Sequence, residues 1–275
     1  MKVLVTGYKG QLGYDVVRAL KEKHIDAIGV DRDEFDLTNE EATTSFIKKI
    51  HPDVIVHCAA YTAVDKAEED KDLCYNINVL GTKYVASAAK EISAKVIYIS
   101  TDYVFDGKGE EPFKSTDTPN PNNYYGLTKY LGEKEISAIL SDYIIVRISW
   151  VFGINGHNFI KTMLKLSETR NELSVVSDQI GSPTYTYDLS YAIVDMIEKN
   201  IKGTYHVTNE GFTSWYEFAV EIFKQANKTV KVNSILTKDY KTLASRPLNS
   251  RMEKNYPMKL RHWREALNHY LKEIL

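Results

Sequence analysis

Apolar residues in the first half of this chain fall into short bounded runs separated by stretches of helical spacing. Residues 2–6, 27–30, 53–57, 95–100 and 143–148 are rich in Val and Ile and are strand-sized. Between the first two runs, Leu12, Val16, Val17 and Leu20 recur at helical spacing. A second helix is predicted over 40–50, opened by Thr38 as N-cap and stopped at His51-Pro52. A third runs from about 68 to 93. The runs are apolar at odd and even positions alike, so each strand is buried on both faces. Alternation of such strands with helices predicts an α/β fold, a Rossmann-type doubly wound parallel sheet.

The pattern continues with a smaller C-terminal α/β part. Helices are predicted over 159–166, 185–200, 213–225 and 261–275, and strands over 173–177 and 203–207. Ser214, with Glu217 three residues on, has the form of a capping box. The expected division is 1–150 for a dinucleotide and 151–275 mainly for a second ligand. No linker marks it, and segments from about 170–205 return to the main sheet, so the two parts interleave. A long polar loop over 106–123, with Gly107, Gly109, Pro112, Pro119 and Pro121, has the character of a binding loop.

Composition removes several alternatives. The 275 residues carry a formal net charge of -2, which does not suggest a nucleic-acid or acidic-membrane partner. No apolar run is long enough to span a membrane. The N-terminus shows no signal-peptide pattern, and Cys58 and Cys74 sit in apolar or helical contexts as free thiols, which together predict a cytoplasmic protein. No Cys/His cluster has zinc spacing, and no resident metal is expected.

Three stretches carry chemistry. Gly7, Gly10 and Gly13 stand between the first strand and first helix, where glycine allows a tight turn and lets backbone N–H groups approach a pyrophosphate. The spacing is G-x-x-G-x-x-G instead of the usual G-x-G-x-x-G. Asp31 ends the second strand eighteen residues past Gly13, close to the ~20 expected for the acid that binds a ribose hydroxyl. Its charge favours NAD(H), while Arg32 leaves NADP(H) open. The third stretch runs from Ser100-Thr101-Asp102-Tyr103 to Tyr125 and Lys129. Tyr125 and Lys129 are four residues apart, on one face if helical. A phenol, an ammonium and the Thr101 hydroxyl make an acid–base device, in which the ammonium is expected to lower the phenol pKa.

With A-A-Y-T-A-V-D-K-A-E at 59–68, S-T-D-Y-V-F at 100–105, S-W-V-F-G at 149–153, D-Q-I-G-S-P-T at 178–184 and R-P-L-N-S-R at 246–251, the chain resembles the extended short-chain dehydrogenase/reductases, and among them the reductases of nucleotide-linked 4-keto sugars. The resemblance covers nearly the whole chain. It implies reduction of the 4-keto group of dTDP-4-dehydro-L-rhamnose by NAD(P)H, with Thr101, Tyr125 and Lys129 catalytic. It implies cofactor contacts from Gly7, Gly10, Gln11, Leu12, Asp31, Arg32, Asp36, Leu37, Ala59, Ala60, Tyr61, Thr62, Asn78, Ser100, Tyr125 and Lys129. Substrate contacts are expected from Thr101, Asp102, Tyr103, Trp150, Arg246 and Asn249, with Lys161 and Arg251 as weaker candidates. Trp215 and Trp263 are expected to be packing residues.

The place held by an Asp-Glu pair in related dehydratases reads Asp102-Tyr103 here, which favours simple reduction. A reductase of another nucleotide-linked keto sugar would share these motifs. So would a non-catalytic regulatory subunit, such as the β subunit of methionine adenosyltransferase. Asp15, Asp188 and Glu273 correspond to acidic positions that bridge subunits through a metal in some relatives, the one route by which Mg2+ would enter. A monomer or homodimer is expected.

Overall fold

The computed structural model describes residues 1–199 and 201–275. The first half builds β1 (Lys2–Thr6), α1 (Gln11–Glu22), β2 (Asp26–Val30), α2 (Glu40–Ile50), β3 (Val54–His57), α3 (Lys71–Tyr75), α4 (Thr82–Glu91), β4 (Lys95–Thr101), α5 (Tyr124–Ile139) and β5 (Tyr143–Ile148). The second half adds β6 (Val151–Phe152), α6 (Phe159–Ser167), β7 (Glu172–Val176), β8 (Ile180–Gly181), β9 (Thr184–Tyr185), α7 (Thr186–Glu198), β10 (Gly203–His206), β11 (Thr213–Ser214), α8 (Trp215–Gln225), β12 (Lys231–Ile235) and α9 (Trp263–Ile274).

Six strands form one parallel sheet in the order β2-β1-β3-β4-β5-β10. Alternation along each strand divides the core in two. Val3, Val5, Val56, Ile97 and Ile99 point to the side covered by α1 and α7, and pack with Leu20, Leu189 and Ile193. Leu4, Ile55, Val96, Tyr98 and Ile145 point to the other side, against Ile47 of α2, Val85 and Ala89 of α4, and Ile136 of α5. Both faces are apolar, as the sequence pattern requires. The strand order reverses about β1, which opens a crevice beyond the carboxyl ends of β1 and β3, the place where such sheets bind ligands.

The remaining chain packs a second core around Phe152, Tyr185, Phe218, Trp263 and Tyr270. Three two-stranded sheets frame it: β7 with β12, β8 with β11 and β6 with β9.

Several boundaries differ from the sequence pattern for local reasons. The helix expected from 68 to 93 is a 3-10 turn at Lys66–Glu68, then α3, a π-helical segment at Asn76–Gly81, and α4. The wider π turn coincides with Asn78, which faces inward at 1% exposure. The cap of α2 is Asn39, which accepts from Ala42 N at 3.0 Å, whereas Thr38 bonds back to Asp36. Thr213 and Ser214 form a strand, and α8 starts one residue later with the Ser214–Glu217 capping box. The end of the 185–200 helix at Asn200 lies outside the described residues. Among the described residues no helix is long and apolar enough to cross a membrane.

One buried ion pair lies under the sheet's carboxyl edge. Arg147 of β5 donates to both oxygens of Glu133 of α5, at 2.8 and 2.7 Å, and Ser100 Oγ of β4 donates to the same carboxylate. Both charged side chains are 5% exposed. Arg147→Met should cost about 3–5 kcal/mol in denaturant unfolding, because Glu133 would remain buried without its counter-charge. The double variant with Glu133→Met should recover most of that loss. A single variant as stable as the parent would show that the pair carries no such burden.

Candidate active site

A cleft of about 1140 Å³ follows the crevice from β2 across β1 and β3 to the ends of β4 and β5. Its cofactor end is shaped by glycine. Gly7 has φ +68°, and a Cβ there would lie 2.8 Å from the Ala59 backbone; one at Gly13 would lie 2.3 Å from Gly7 O. The turn therefore tolerates no side chains at these positions. Gly10 caps α1 with no side-chain hydrogen bond, and the first turn of α1 holds no acid. Its N–H groups and positive dipole end remain available to an anion at the cleft. These features fit the diphosphate of a dinucleotide.

Gln11, Leu12, Asp31, Arg32, Asp36 and Leu37 line the same end. Asp31 accepts from Lys9 N at 3.2 Å and from Arg32 N at 2.9 Å, which fixes its carboxylate at the rim. Backbone and side-chain bonds from Thr38 hold the Asp36 carboxyl below its ordinary range.

Ala59, Ala60 and Thr62 line the middle of the cleft, but Tyr61 and Asn78 do not. The Asn78 amide accepts from Tyr61 N at 2.8 Å and donates to Tyr61 O at 3.1 Å and Thr128 Oγ1 at 3.0 Å. It acts as a bracket behind the 59–62 segment, tying it to α5. The Tyr61 hydroxyl turns away to Asp70. His57 is likewise structural: burial drives its pKa down to about 3, and Thr6 and Thr82 hydroxyls flank its ring.

Ser100, Thr101, Asp102, Tyr103, Tyr125 and Lys129 converge at the end of β4. Asn123 caps α5 by accepting from Gly126 N at 2.8 Å, which sets the phase that turns Tyr125 and Lys129 to the cleft. Thr101 Oγ1 donates to Asp102 Oδ1 at 2.9 Å. Burial raises the Asp102 carboxyl to about 6, with the Ser250 and Thr101 hydroxyls opposing it.

The expected lowering of the Tyr125 pKa by Lys129 is not what the electrostatics give. Desolvation, then the Asp102 charge, push the phenol well above its ordinary value, with Thr101 pulling the other way. Lys129 is 3% exposed, and burial lowers its pKa to about 7 against the opposing pull of Glu133. Its ammonium lies 4.1 Å from the centroid of the Tyr98 ring. With its charge weakened by burial and its ammonium over Tyr98, Lys129 does not offset the desolvation of Tyr125, which is held as the neutral acid.

Trp150 also lines the cleft, as does Trp215, which the helical spacing had assigned to packing. Nothing in the sequence separates Trp215 from Trp263, which is fully buried. The remaining substrate candidates lie off the cleft. Arg246 is ion-paired with Asp65. Asn249, 1% exposed, donates to the Lys108 and Glu111 carbonyls and accepts from Arg251, so it anchors the 106–123 loop. The Lys161 ammonium donates to Ile154 O and Gly156 O. Of the acidic trio, Asp188 pairs with Arg261, Glu273 with Arg18 and Tyr185, and Asp15 with Thr186. Among the described residues no group of three or more His, Cys, Asp or Glu is placed to hold a metal ion.

The RmlD substrate binding domain family model matches residues 1–275. The chain is 42% identical to a spore coat polysaccharide biosynthesis protein of Bacillus subtilis, covering 99% of this chain and 97% of that one. It is 38% identical to dTDP-4-dehydrorhamnose reductase of Escherichia coli, covering 100% and 98%. Its fold matches the crystal structure of dTDP-4-dehydrorhamnose reductase from Bacillus anthracis in complex with NADP, with a TM-score of 0.96, 42% identity, and 99% and 100% of the two chains covered.

The depressed Lys129 pKa has a thermodynamic signature. The folded state binds fewer protons than the unfolded state between about 7 and 10.5, so stability rises with pH across that window. Lys129→Met should therefore melt higher than the parent at pH 7, and the gain should shrink toward pH 10.5. Melting curves that drop at neutral pH would show that the ammonium is well accommodated.

Proposed function

Because this chain belongs to the RmlD substrate binding domain family, we propose that it is an oxidoreductase that reduces the 4-keto group of dTDP-4-dehydro-L-rhamnose to give dTDP-L-rhamnose. The observation that carries this reading is the neutral Tyr125 phenol, beside Thr101 and one helical turn from Lys129, in a cleft whose other end is a glycine turn at a free helix N-terminus. The names of the E. coli and B. anthracis relatives support it.

When bound, a reduced nicotinamide supplies the hydride that reaches C4 of the sugar. Gly7, Gly10, Gln11 and Leu12 would hold its diphosphate, Asp31 and Arg32 would meet the adenosine ribose, and Ala59, Ala60 and Thr62 would line its middle. Tyr125 gives its phenolic proton to the oxygen that becomes the C4 hydroxyl, and a high pKa keeps that proton in place until the oxygen gains charge. Thr101 donates a hydrogen bond to the same oxygen and orients it. Lys129, in the fraction that carries charge, stabilises the phenolate left behind, which takes a proton from solvent before the next cycle. Asp102, Tyr103 and Trp150 bound the sugar. Residues 1–150 serve mainly the cofactor and 151–275 mainly the nucleotide-sugar, interleaved through β10. The reaction needs no partner beyond a monomer or homodimer of this chain, and a reducing cytoplasm suits its two free thiols.

We infer a preference for NAD(H), because the Asp31 carboxylate repels a 2′-phosphate. Arg32 beside it offers that phosphate a counter-charge, so NADP(H) remains usable, in keeping with the NADP bound by the B. anthracis relative.

Cofactor oxidation with dTDP-4-dehydro-L-rhamnose is the direct test. Tyr125→Phe should lower kcat by roughly 10²–10⁴-fold with little change in cofactor binding; undiminished turnover would remove Tyr125 from the mechanism. Asp31→Ala should weaken NADH more than NADPH in fluorescence titrations, and the opposite ranking would reverse the cofactor preference.

A further inference from the structure

A hydroxyl carries one proton and accepts two hydrogen bonds, so the partners of Thr101 can be counted in full. Thr101 caps the 3-10 turn Asp102–Val104, and its Oγ1 accepts from Tyr103 N at 3.2 Å. Its second neighbour is Asp102 Oδ1, at 2.9 Å. Two arrangements of protons satisfy this geometry. If Asp102 is a carboxylate, it has no hydrogen to give, and the one Thr101 proton is committed to it. Oγ1 then turns a lone pair to the cleft that it lines, and a lone pair repels a carbonyl oxygen. If Asp102 is the neutral acid, it donates to Oγ1 instead. Both acceptor positions are then filled, and the Thr101 proton is left for the cleft. The hydrogen bond from Thr101 to the substrate oxygen needs the second arrangement.

The surroundings of Asp102 favour the neutral acid. The residue is 4% exposed, and its Oδ2 makes no hydrogen bond among the described residues. A buried carboxylate is costly unless it is paired and hydrogen-bonded. No ion pair among the described residues includes Asp102. It faces the Thr101 hydroxyl from β4, Tyr103 from its own turn, the Tyr125 phenol from α5 and the Ser250 hydroxyl from the segment before α9. The cations beyond these have other partners. Arg246, which acts on Tyr103, is paired with Asp65, and Lys129, one turn along α5 from Tyr125, lies over Tyr98.

We propose that Asp102 is a positioning residue for the reduction: as the neutral acid it donates to Thr101 Oγ1 and so turns the Thr101 proton to the C4 oxygen of the sugar. This rests on the reductase reading above. Asp102 keeps its proton through the cycle, and the proton that ends on the C4 oxygen comes from Tyr125. As pH rises, Asp102 ionises, the Thr101 proton turns back to it, and the hydrogen bond to the C4 oxygen is lost. The change is centred near pH 6, where burial places this carboxyl.

The test is the single-turnover rate of NADH oxidation by dTDP-4-dehydro-L-rhamnose from about pH 5 to about pH 8, for the parent, Asp102→Asn, Thr101→Val and the double variant. Lys129 changes charge within this range in all of them, so the quantity to read is the ratio of Asp102→Asn to parent at each pH. Asn matches Asp in size, and its amide donates to Thr101 at every pH. Whatever its starting value, the ratio should climb by roughly ten-fold across the range, the scale of one hydrogen bond. With Thr101→Val in both proteins, the same ratio should stay flat. A merely structural role would lower the rate by one factor at every pH. A flat ratio, or one that climbs as steeply without the Thr101 hydroxyl, would overturn the proposal alone. A parent that oxidises no NADH with this substrate would overturn the reductase reading and the proposal with it.

Discussion

The geometry of the site depends on the buried pair between Glu133 and Arg147. Ser100 and Thr101 end β4, Tyr125 and Lys129 ride on α5, and Arg147 is on β5. Packing alone would let a helix slide or roll on a sheet by a fraction of an ångström at little cost. A carboxylate that receives two bonds from Arg147 and one from Ser100 has one low-energy position. It is one turn beyond Lys129 on the same helix, and its charge opposes the burial that would discharge the ammonium. Such a pair adds little net stability over apolar residues. What it supplies here is register between the elements that carry Tyr125, Thr101 and Lys129.

Burial sets the chemistry of that group more than neighbouring charge does. Spacing alone places Tyr125 beside Lys129, and from spacing the phenol looks acidified. Depth reverses the expectation: the lysine loses charge to desolvation, its ammonium settles over Tyr98, and the phenol stays protonated. For the proton donor proposed above, this is the useful state.

The central sheet was legible because the middles of its strands are apolar on both faces and most connections have helical period. Asp31, the glycine turn and the Thr101–Tyr125–Lys129 set were legible because their chemistry is tied to element ends, and element ends are marked by breakers and caps. The rest was hidden for identifiable reasons. β6, β8, β9 and β11 are two residues long and have no period to detect. β12, at Lys231–Ile235, is mostly polar and pairs on one side only. Asn78 and Asn249 have the composition of ligand-binding amides, yet their amide groups are used up by backbone behind the cleft and behind a loop. Trp215 has the spacing of a core residue, and its stacking on Trp150 at the cleft is a contact that spacing does not encode.

The arrival of α7 and β10 late in the chain bears on how the protein is made. The face formed by Val3, Val5, Val56, Ile97 and Ile99 is closed by Leu189, Ala192 and Ile193, and β5 remains an open edge until Gly203–His206 pairs with it. A ribosome that has released only the first 150 residues has therefore exposed a sheet lacking one cover and one border strand. Such an intermediate is adhesive. Synthesis must continue through roughly fifty more residues before the nascent sheet is sealed. The interleaving that brings two halves around one cleft thus lengthens the interval in which the growing chain keeps an apolar face and a strand edge open.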